Sequence, residues 1–220
     1  MSELPAVPEQ KVHVVDDDEA LRDSLVWMLE SHGYQVAAHD SAEAFVAGCN
    51  PDMAGCIVLD VRMPGMSGLE LFEELGRRHC SLPVVFITGH GDVPMAVAAL
   101  KKGAVDFIEK PFSEADMLRL IEHCLERERS SRDKRRLEAE TARRLEQLTQ
   151  REREVLDLII AGKLNKQIAD VLGISIKTVE VHRARVMEKM GAHSLAELVQ
   201  HVVTVEPGAT AGIPAPRRTS

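Results

Sequence analysis

The sequence predicts an α/β domain built on a doubly wound, five-stranded parallel sheet, followed by an all-α unit of four helices. Three observations predict it. Over residues 1–112, short β-branched runs alternate with segments of helical periodicity. From Phe112 to Ala161 there is neither glycine nor proline, so nothing interrupts a long helix. Beyond that stretch, helical segments follow one another with tight turns and no strand-like run between them.

Val12–Val15, Gln35–Ala38, Cys56–Leu59, Pro83–Ile87 and Asp106–Ile108 read as the five strands. Helices are expected to start near Glu19, Ser41, Gly68 and Val93, with Gly33 and Gly103 as stop signals. The third and fourth runs are apolar throughout, as strands covered on both faces are. Strand–helix alternation implies right-handed crossovers and helices on both sides of the sheet. The expected strand order is 2-1-3-4-5.

Ser113 with Asp116 resembles a capping box, so a helix should begin there. Met117, Leu118, Ile121 and Leu125 give it an apolar stripe that packs on the sheet. The stripe fades into the mixed-charge run Glu126–Arg136, with apolar residues returning at Leu137, Leu145 and Leu148. A helix continued to Gln147 spans roughly 50 Å at about 1.5 Å per residue. Balanced charge favours a solvated helix face over a nucleic-acid contact, and the heptads are too broken for a stable coiled coil. The expected division is residues 1–125, a helical linker 126–147, a second domain 148–203, and a disordered tail 204–220 rich in Pro, Gly, Ala and Thr.

Composition excludes several classes. No apolar run is long enough to span a bilayer, and residues 1–10 lack a signal-peptide pattern, so a cytoplasmic location with no membrane partner is expected. Cys49, Cys56, Cys80 and Cys124 show no zinc-like spacing and read as small buried hydrophobes rather than a metal or disulfide set. The net charge of −8 is unevenly placed: residues 1–112 carry 8 basic and 18 acidic side chains, whereas residues 147–203 carry 8 and 7. An acidic front half suits a metal-dependent carboxylate site, and a near-neutral back half leaves nucleic-acid binding open.

The polar residues that matter fall at strand ends. Asp16, Asp17 and Asp18 follow the first strand, Asp60 closes the third, Thr88 closes the fourth, and Lys110 follows the fifth. These are carboxyl ends of parallel strands, the edge at which such sheets build sites. With strands one and three adjacent, Asp17 comes near Asp60. Clustered carboxylates repel unless a cation joins them, and Mg²⁺ is the hard, oxygen-seeking candidate. Thr88 offers a hydroxyl and Lys110 a compact positive charge, suited to neutralising a phosphoryl group on Asp60.

The segments VVDDDEALRDSL, LDVRMPGMSGLEL and VVFITGHGDVPMAVAALKKGAVDFIEKPF resemble the receiver domain of two-component response regulators, over residues 10–125. The resemblance implies that Asp60 accepts a phosphoryl group from a phosphohistidine on a sensor histidine kinase. It implies Mg²⁺ held directly by Asp17 and Asp60, with the backbone carbonyl of Arg62 and with Asp16 through water. Thr88 and Lys110 would hold phosphoryl oxygens, with Lys110–Pro111 cis, and Phe107 would stand in for the aromatic switch residue. A dehalogenase-type phosphatase also forms an aspartyl phosphate but needs D-x-D; here Val61 and Arg62 follow Asp60, so the proton donor is missing. The protein is therefore not expected to be an enzyme.

The second domain has helix-turn-helix spacing: Arg151–Ala161, Lys166–Leu172, a Gly173–Ser175 turn, and Ile176–Met190 as the helix that would enter the major groove. Gly191 ends it, and Ser194 with Glu197 opens a last helix to Val203. At about 100° per residue, Val179, Val186 and Met190 face the core. Lys177, Glu180, Val181, Ala184 and Glu188 face outward with Arg185 at the edge. Glu180 can accept from cytosine, and Val181 and Ala184 can meet a thymine methyl. Lys166, Lys177, Thr178, Arg185 and Lys189 suit phosphates. Arg183 faces inward, where a pair with Glu152 or Glu154 and a phosphate contact are equally open. A four-helix adaptor that binds protein is the bland alternative.

The string from Leu148 to Val199 is similar to the LuxR-type helix-turn-helix domain, and the whole chain to the NarL/FixJ class of response regulators, most closely its FixJ branch. The resemblance implies a homodimer on phosphorylation, binding to double-stranded promoter DNA, contact with RNA polymerase and, most simply, activation of transcription. A regulator that uses its receiver only to dimerise, without phosphate, is the second hypothesis; the complete acidic set argues against it.

Overall fold

In the computed structural model, which describes residues 9–51, 53–89 and 93–205, the chain divides into two units, residues 1–132 and 133–220. The first holds β1 (Lys11–Val15), β2 (Val36–His39), β3 (Gly55–Asp60), β4 (Val84–Thr88) and β5 (Asp106–Glu109) in one parallel sheet of order β2-β1-β3-β4-β5. The strands are joined by α1 (Glu19–Ser31), α2 (Ala42–Gly48), α3 (Gly68–Arg77) and α4 (Val93–Lys101). The doubly wound fold read from the sequence is the one observed.

The period of two decides which helix each strand residue meets. On β3, Cys56 and Val58 point to the side covered by Leu25 and Leu29 of α1 and by Met117 and Ile121 of α5 (Glu114–Glu146). Ile57 and Leu59 point to the other side, against Phe45 of α2, Leu71 and Leu75 of α3, and Ala99 of α4. All six residues of β3 are buried, which is why that run shows no polar alternation. Register then aligns the strand ends: Val15 lies opposite Leu59, Asp60 opposite Ile87, and Thr88 opposite Glu109.

Local signals set the helix starts. Asp18 caps α1, accepting from the N–H groups of Ala20 and Leu21, and Ser67 with Glu70 forms a full capping box on α3. Ser113 accepts from Asp116 N–H, but the Asp116 carboxylate returns to the Ser113 hydroxyl rather than to its backbone.

The linker 126–147 is expected to continue the last helix of the first domain; helix α5 runs unbroken from Glu114 to Glu146, and the division between the two units falls within it. In the first unit Glu128 is buried, meeting Gln10 Nε2 at 2.6 Å and Arg132 at 3.4 Å. In the second, Thr141 and Leu145 are buried. The mixed-charge run hides Glu128 because a paired charge and a solvated one look alike in sequence.

The second unit adds α6 (Gln150–Ile160), α7 (Asn165–Leu172), α8 (Ile176–Met190) and α9 (Leu195–Val205). Val155, Leu156, Ile168, Val179, Val186, Met190, Leu198 and Val202 form its core with Leu145. Gly173, at φ 66°, turns the chain between α7 and α8 in the left-handed region that favours glycine. Helix α9 takes in Thr204 and Val205 of the expected tail; the rest of that tail lies outside the described residues. Among the described residues no helix is long and apolar enough to cross a membrane.

Candidate functional site

The carboxyl end of the sheet carries an open cavity of about 230 Å³ lined by Asp16, Asp17, Asp18, Asp60, Val61, Arg62, Gly89 and Lys110. Asp60 and Asp16 are both buried at its base. Lys110 reaches in from the loop after β5, with Nζ 2.6 Å from Asp60 Oδ1 and 3.4 Å from Asp16 Oδ2. The other oxygen of Asp60 accepts from the Arg62 N–H at 2.7 Å. Asp16 accepts from the Asp18 N–H at 2.8 Å, and its carbonyl accepts from Arg22 Nη1 at 2.8 Å.

Electrostatics follow from this packing. Burial raises the Asp16 pKa, and the Asp60 charge adds to that, against the lowering influence of the Asp18 N–H and Lys110. Burial alone would lower the Lys110 pKa, but its hydrogen bond and charge contact with Asp60, and its contact with Asp16, hold it above the ordinary value. The site is therefore a pair of buried carboxyl groups bridged by one ammonium.

The structure does not bring every expected residue into that cluster. Asp17 is exposed on the cavity wall. Thr88 is buried, and its hydroxyl donates to the Gly89 carbonyl at 3.2 Å. Phe107 is half-buried against the cluster that contains Phe86 and Ala99, with Leu100. The Lys110–Pro111 bond is cis.

A Mg²⁺ ion fits the donor set chemically. The donors are hard oxygens: carboxylates of Asp17 and Asp60, a backbone carbonyl, and Asp16 behind them. Among the described residues no three acidic, histidine or cysteine side chains converge tightly enough to hold an ion by themselves, so a backbone oxygen and waters are needed to complete a shell.

Three supporting residues escaped the sequence reading. A Cβ at Gly68 would stand 2.0 Å from the Asp60 carbonyl oxygen, so glycine lets α3 start directly beneath the acidic residue. Glu43 of α2 accepts from the Met66 N–H at 2.9 Å and holds the loop that follows Asp60. Arg22 holds the Asp16 backbone. Gly68 had a signal, a glycine at the first position of a helix; the other two depend on distant contacts.

In the second unit Lys177, Glu180, Val181, Ala184, Arg185 and Glu188 of α8 are exposed, as is Lys166 of α7. Ser175 caps α8 and its hydroxyl meets Thr178 Oγ1 at 2.8 Å, so Thr178 is part of the cap. Lys189 departs from the expectation of a phosphate contact. Its ammonium lies 2.6 Å from the buried Glu152 carboxylate and 3.1 Å from the Gln147 carbonyl. The partner of Glu152 is thus Lys189, and that of Glu154 is Arg151, at 2.7 Å; neither is Arg183. The Thr149–Glu152 capping box, also unforeseen, seats the same carboxylate on the Thr149 N–H.

A receiver-like sheet edge followed along the chain by a helix-turn-helix defines a class of transcription regulator rather than an enzyme. Comparison with known proteins agrees: residues 12–122 match the response regulator receiver domain, and residues 146–202 match the bacterial regulatory proteins of the luxR family. The transcriptional regulatory protein FixJ of Azorhizobium caulinodans is 51% identical over 86% of this chain and 90% of its own length. FixJ of Rhizobium meliloti is 50% identical over 86% and 93%. Among solved structures, the response regulator StyR superposes with a TM-score of 0.80 at 45% identity, covering 89% of this chain and 98% of that one. The chain belongs to the two-component response regulators with a LuxR-type DNA-binding domain, and it is FixJ-like.

Proposed function

We propose that this regulator accepts a phosphoryl group on Asp60 from the phosphohistidine of a sensor histidine kinase, dimerises, and binds paired promoter half-sites through α8 to activate transcription. The observation that supports this best is the Lys110 ammonium 2.6 Å from Asp60 at the mouth of an acidic cavity. An Asp60 oxygen is the nucleophile toward phosphorus; as the O–P bond forms, the P–N bond to the kinase histidine breaks and the imidazole leaves. Lys110 is placed to follow the charge onto the new phosphoryl oxygens, and the Arg62 N–H holds the second carboxylate oxygen in place.

Asp17, Asp60 and the Arg62 carbonyl, with Asp16 behind, would hold a Mg²⁺ ion, which would supply charge neutralisation for the incoming group. Thr88 would leave the Gly89 carbonyl to meet a phosphoryl oxygen, opening room into which Phe107 turns further. The α4 residues Met95, Val97 and Ala98 are exposed and apolar, which suits the α4–β5 side to a second receiver. RNA polymerase is the expected further partner, in the cytoplasm.

Radiolabelled acetyl phosphate tests the first step. Wild type should take up label in Mg²⁺, Asp60→Asn should take up none while keeping its fold, and excess chelator should block uptake. Label on Asp60→Asn near the wild-type level overturns the assignment. Sedimentation of the phosphorylated and unphosphorylated chains tests the second step; equal masses across a wide concentration range would remove the dimer switch.

A further inference from the structure

Two of the four cysteines sit outside both sites described above. Cys49 caps the end of α2, with its N–H on the Val46 carbonyl. Cys80 follows α3, where His79 takes a positive φ of 56° and the Cys80 N–H returns to the Leu75 carbonyl at 2.9 Å. These turns bring both side chains to one cavity of about 240 Å³, lined by Cys49, Asn50, Pro51, Arg78 and Cys80. Both are half-buried, so solvent reaches them, whereas Cys56 and Cys124 are buried in the core on the opposite face of the sheet. The Cys80 thiol is the direct side-chain neighbour of the Cys49 thiol.

We propose that Cys49 and Cys80 form a redox-reactive pair that closes to an intrachain disulfide when the chain meets hydrogen peroxide. Metal binding is the weaker use of two thiols here. Among the described residues no third histidine, cysteine or carboxylate joins them, and two ligands do not complete a zinc site. Disulfides that form transiently in reducing compartments are typically redox-sensing or catalytic, and a solvent-reached pair suits that role.

One thiol of the pair gives up its proton, and its thiolate displaces hydroxide from the peroxide O–O bond, giving a sulfenic acid, while the hydroxide takes up that proton. The other sulfur attacks the sulfenic sulfur, the S–O bond breaks, and the leaving hydroxide departs as water with the second thiol's proton. Two thiols lose two electrons in total, and one peroxide becomes two waters. The bond closes a loop that contains β3, Asp60 and α3.

The full-length chain is treated with hydrogen peroxide, quenched, denatured, alkylated and mapped by mass spectrometry. Two of the four thiols should be lost together. One cross-linked peptide pair, Cys49 with Cys80, should appear, and dithiothreitol should restore both thiols. The thermal midpoint of the receiver should rise by roughly 5 °C or more on oxidation. In Cys49→Ser and in Cys80→Ser the bridge should be lost, and a sulfenic acid should persist on the remaining cysteine of the pair and be captured by dimedone. Separate oxidation of the two sulfurs without a cross-link, a bridge only between chains, or four alkylatable thiols after treatment would each overturn the proposal.

Discussion

The guanidinium of Arg144, in the last turn of α5, donates to the carbonyl of Met190, the last residue of α8, at 2.6 Å. The contact puts a cation at the C-terminal end of the helix proposed to enter the major groove, where unpaired carbonyls gather partial negative charge. Gly191 follows at φ 60°, and a Cβ there would stand 2.5 Å from Arg144 Nη1. With Leu145 buried beside it, the end of α5 is a structural part of the DNA-binding unit.

A fragment that starts at residue 148 should therefore unfold more readily than one starting at 133, because it lacks both Leu145 and Arg144. Arg144→Ala in the longer fragment should weaken it by about 1 kcal/mol, since the side chain is partly solvated. Urea unfolding followed by circular dichroism measures both. Equal midpoints for the two fragments would assign no stabilising role to this stretch.

Lys189→Ala should act on stability before it acts on DNA. It strips the cation from a buried Glu152, whose pKa the Lys189 hydrogen bond and the Thr149 N–H hold down to about 2. The loss should be about 1–3 kcal/mol at neutral pH. Because the folded pKa lies below the unfolded one, this stabilisation is present above the unfolded value and disappears as pH falls toward 2. The wild-type and variant unfolding curves should thus converge in strong acid; a constant gap down to pH 2 would contradict the pairing.

His13 makes the receiver acid-sensitive in a different range. It lies on β1, buried against Phe45, with Nδ1 3.2 Å from His39 Nε2, and its pKa is lowered to about 4 by burial, His39 and Lys11. Burial also lowers the His39 pKa. Both imidazoles fold neutral, so the receiver loses stability as pH falls below about 6.5 and on through 4. His13 alone should account for about 2–3 kcal/mol over that window. His13→Phe should flatten the slope of receiver unfolding between pH 6.5 and 4, and an unchanged slope would rule His13 out as its source.

Lys110→Ala leaves Asp16 and Asp60 facing one another without their shared cation. In chelator its receiver midpoint should fall below wild type, and added Mg²⁺ should recover more of the loss than it adds to wild type. Thermal scans with and without metal report this. A midpoint unmoved by Mg²⁺ in the variant would count against the acidic pair as part of a metal site.

On α8 the exposed residues should separate by role. Glu180→Ala should relax preference at one position of each half-site by roughly 1–3 kcal/mol. Lys177→Ala should weaken binding to all sequences alike and flatten the salt dependence by about one unit. Site selection at two salt concentrations distinguishes them, and an exchange of these two behaviours would reverse the proposed reading of the face.

What the sequence determined by itself were the features carried by a few neighbouring residues. The β-branched runs located all five strands, and Ser175 and Gly191 bounded α8 at Ile176 and Met190 because caps act within one turn. Strand order and strand ends then placed Asp16, Asp60 and Lys110 at one edge without any contact being known. The tertiary structure alone decided which charges pair. Lys189 read as a phosphate ligand because its intended partner, Glu152, lies on another helix. Glu128 read as part of a solvated face although it is buried, and Cys49 and Cys80 carried no spacing that foretold their meeting. Periodicity fixes which way a side chain leaves its own helix or strand, whereas a partner is chosen by where distant segments come to rest, and only packing specifies that.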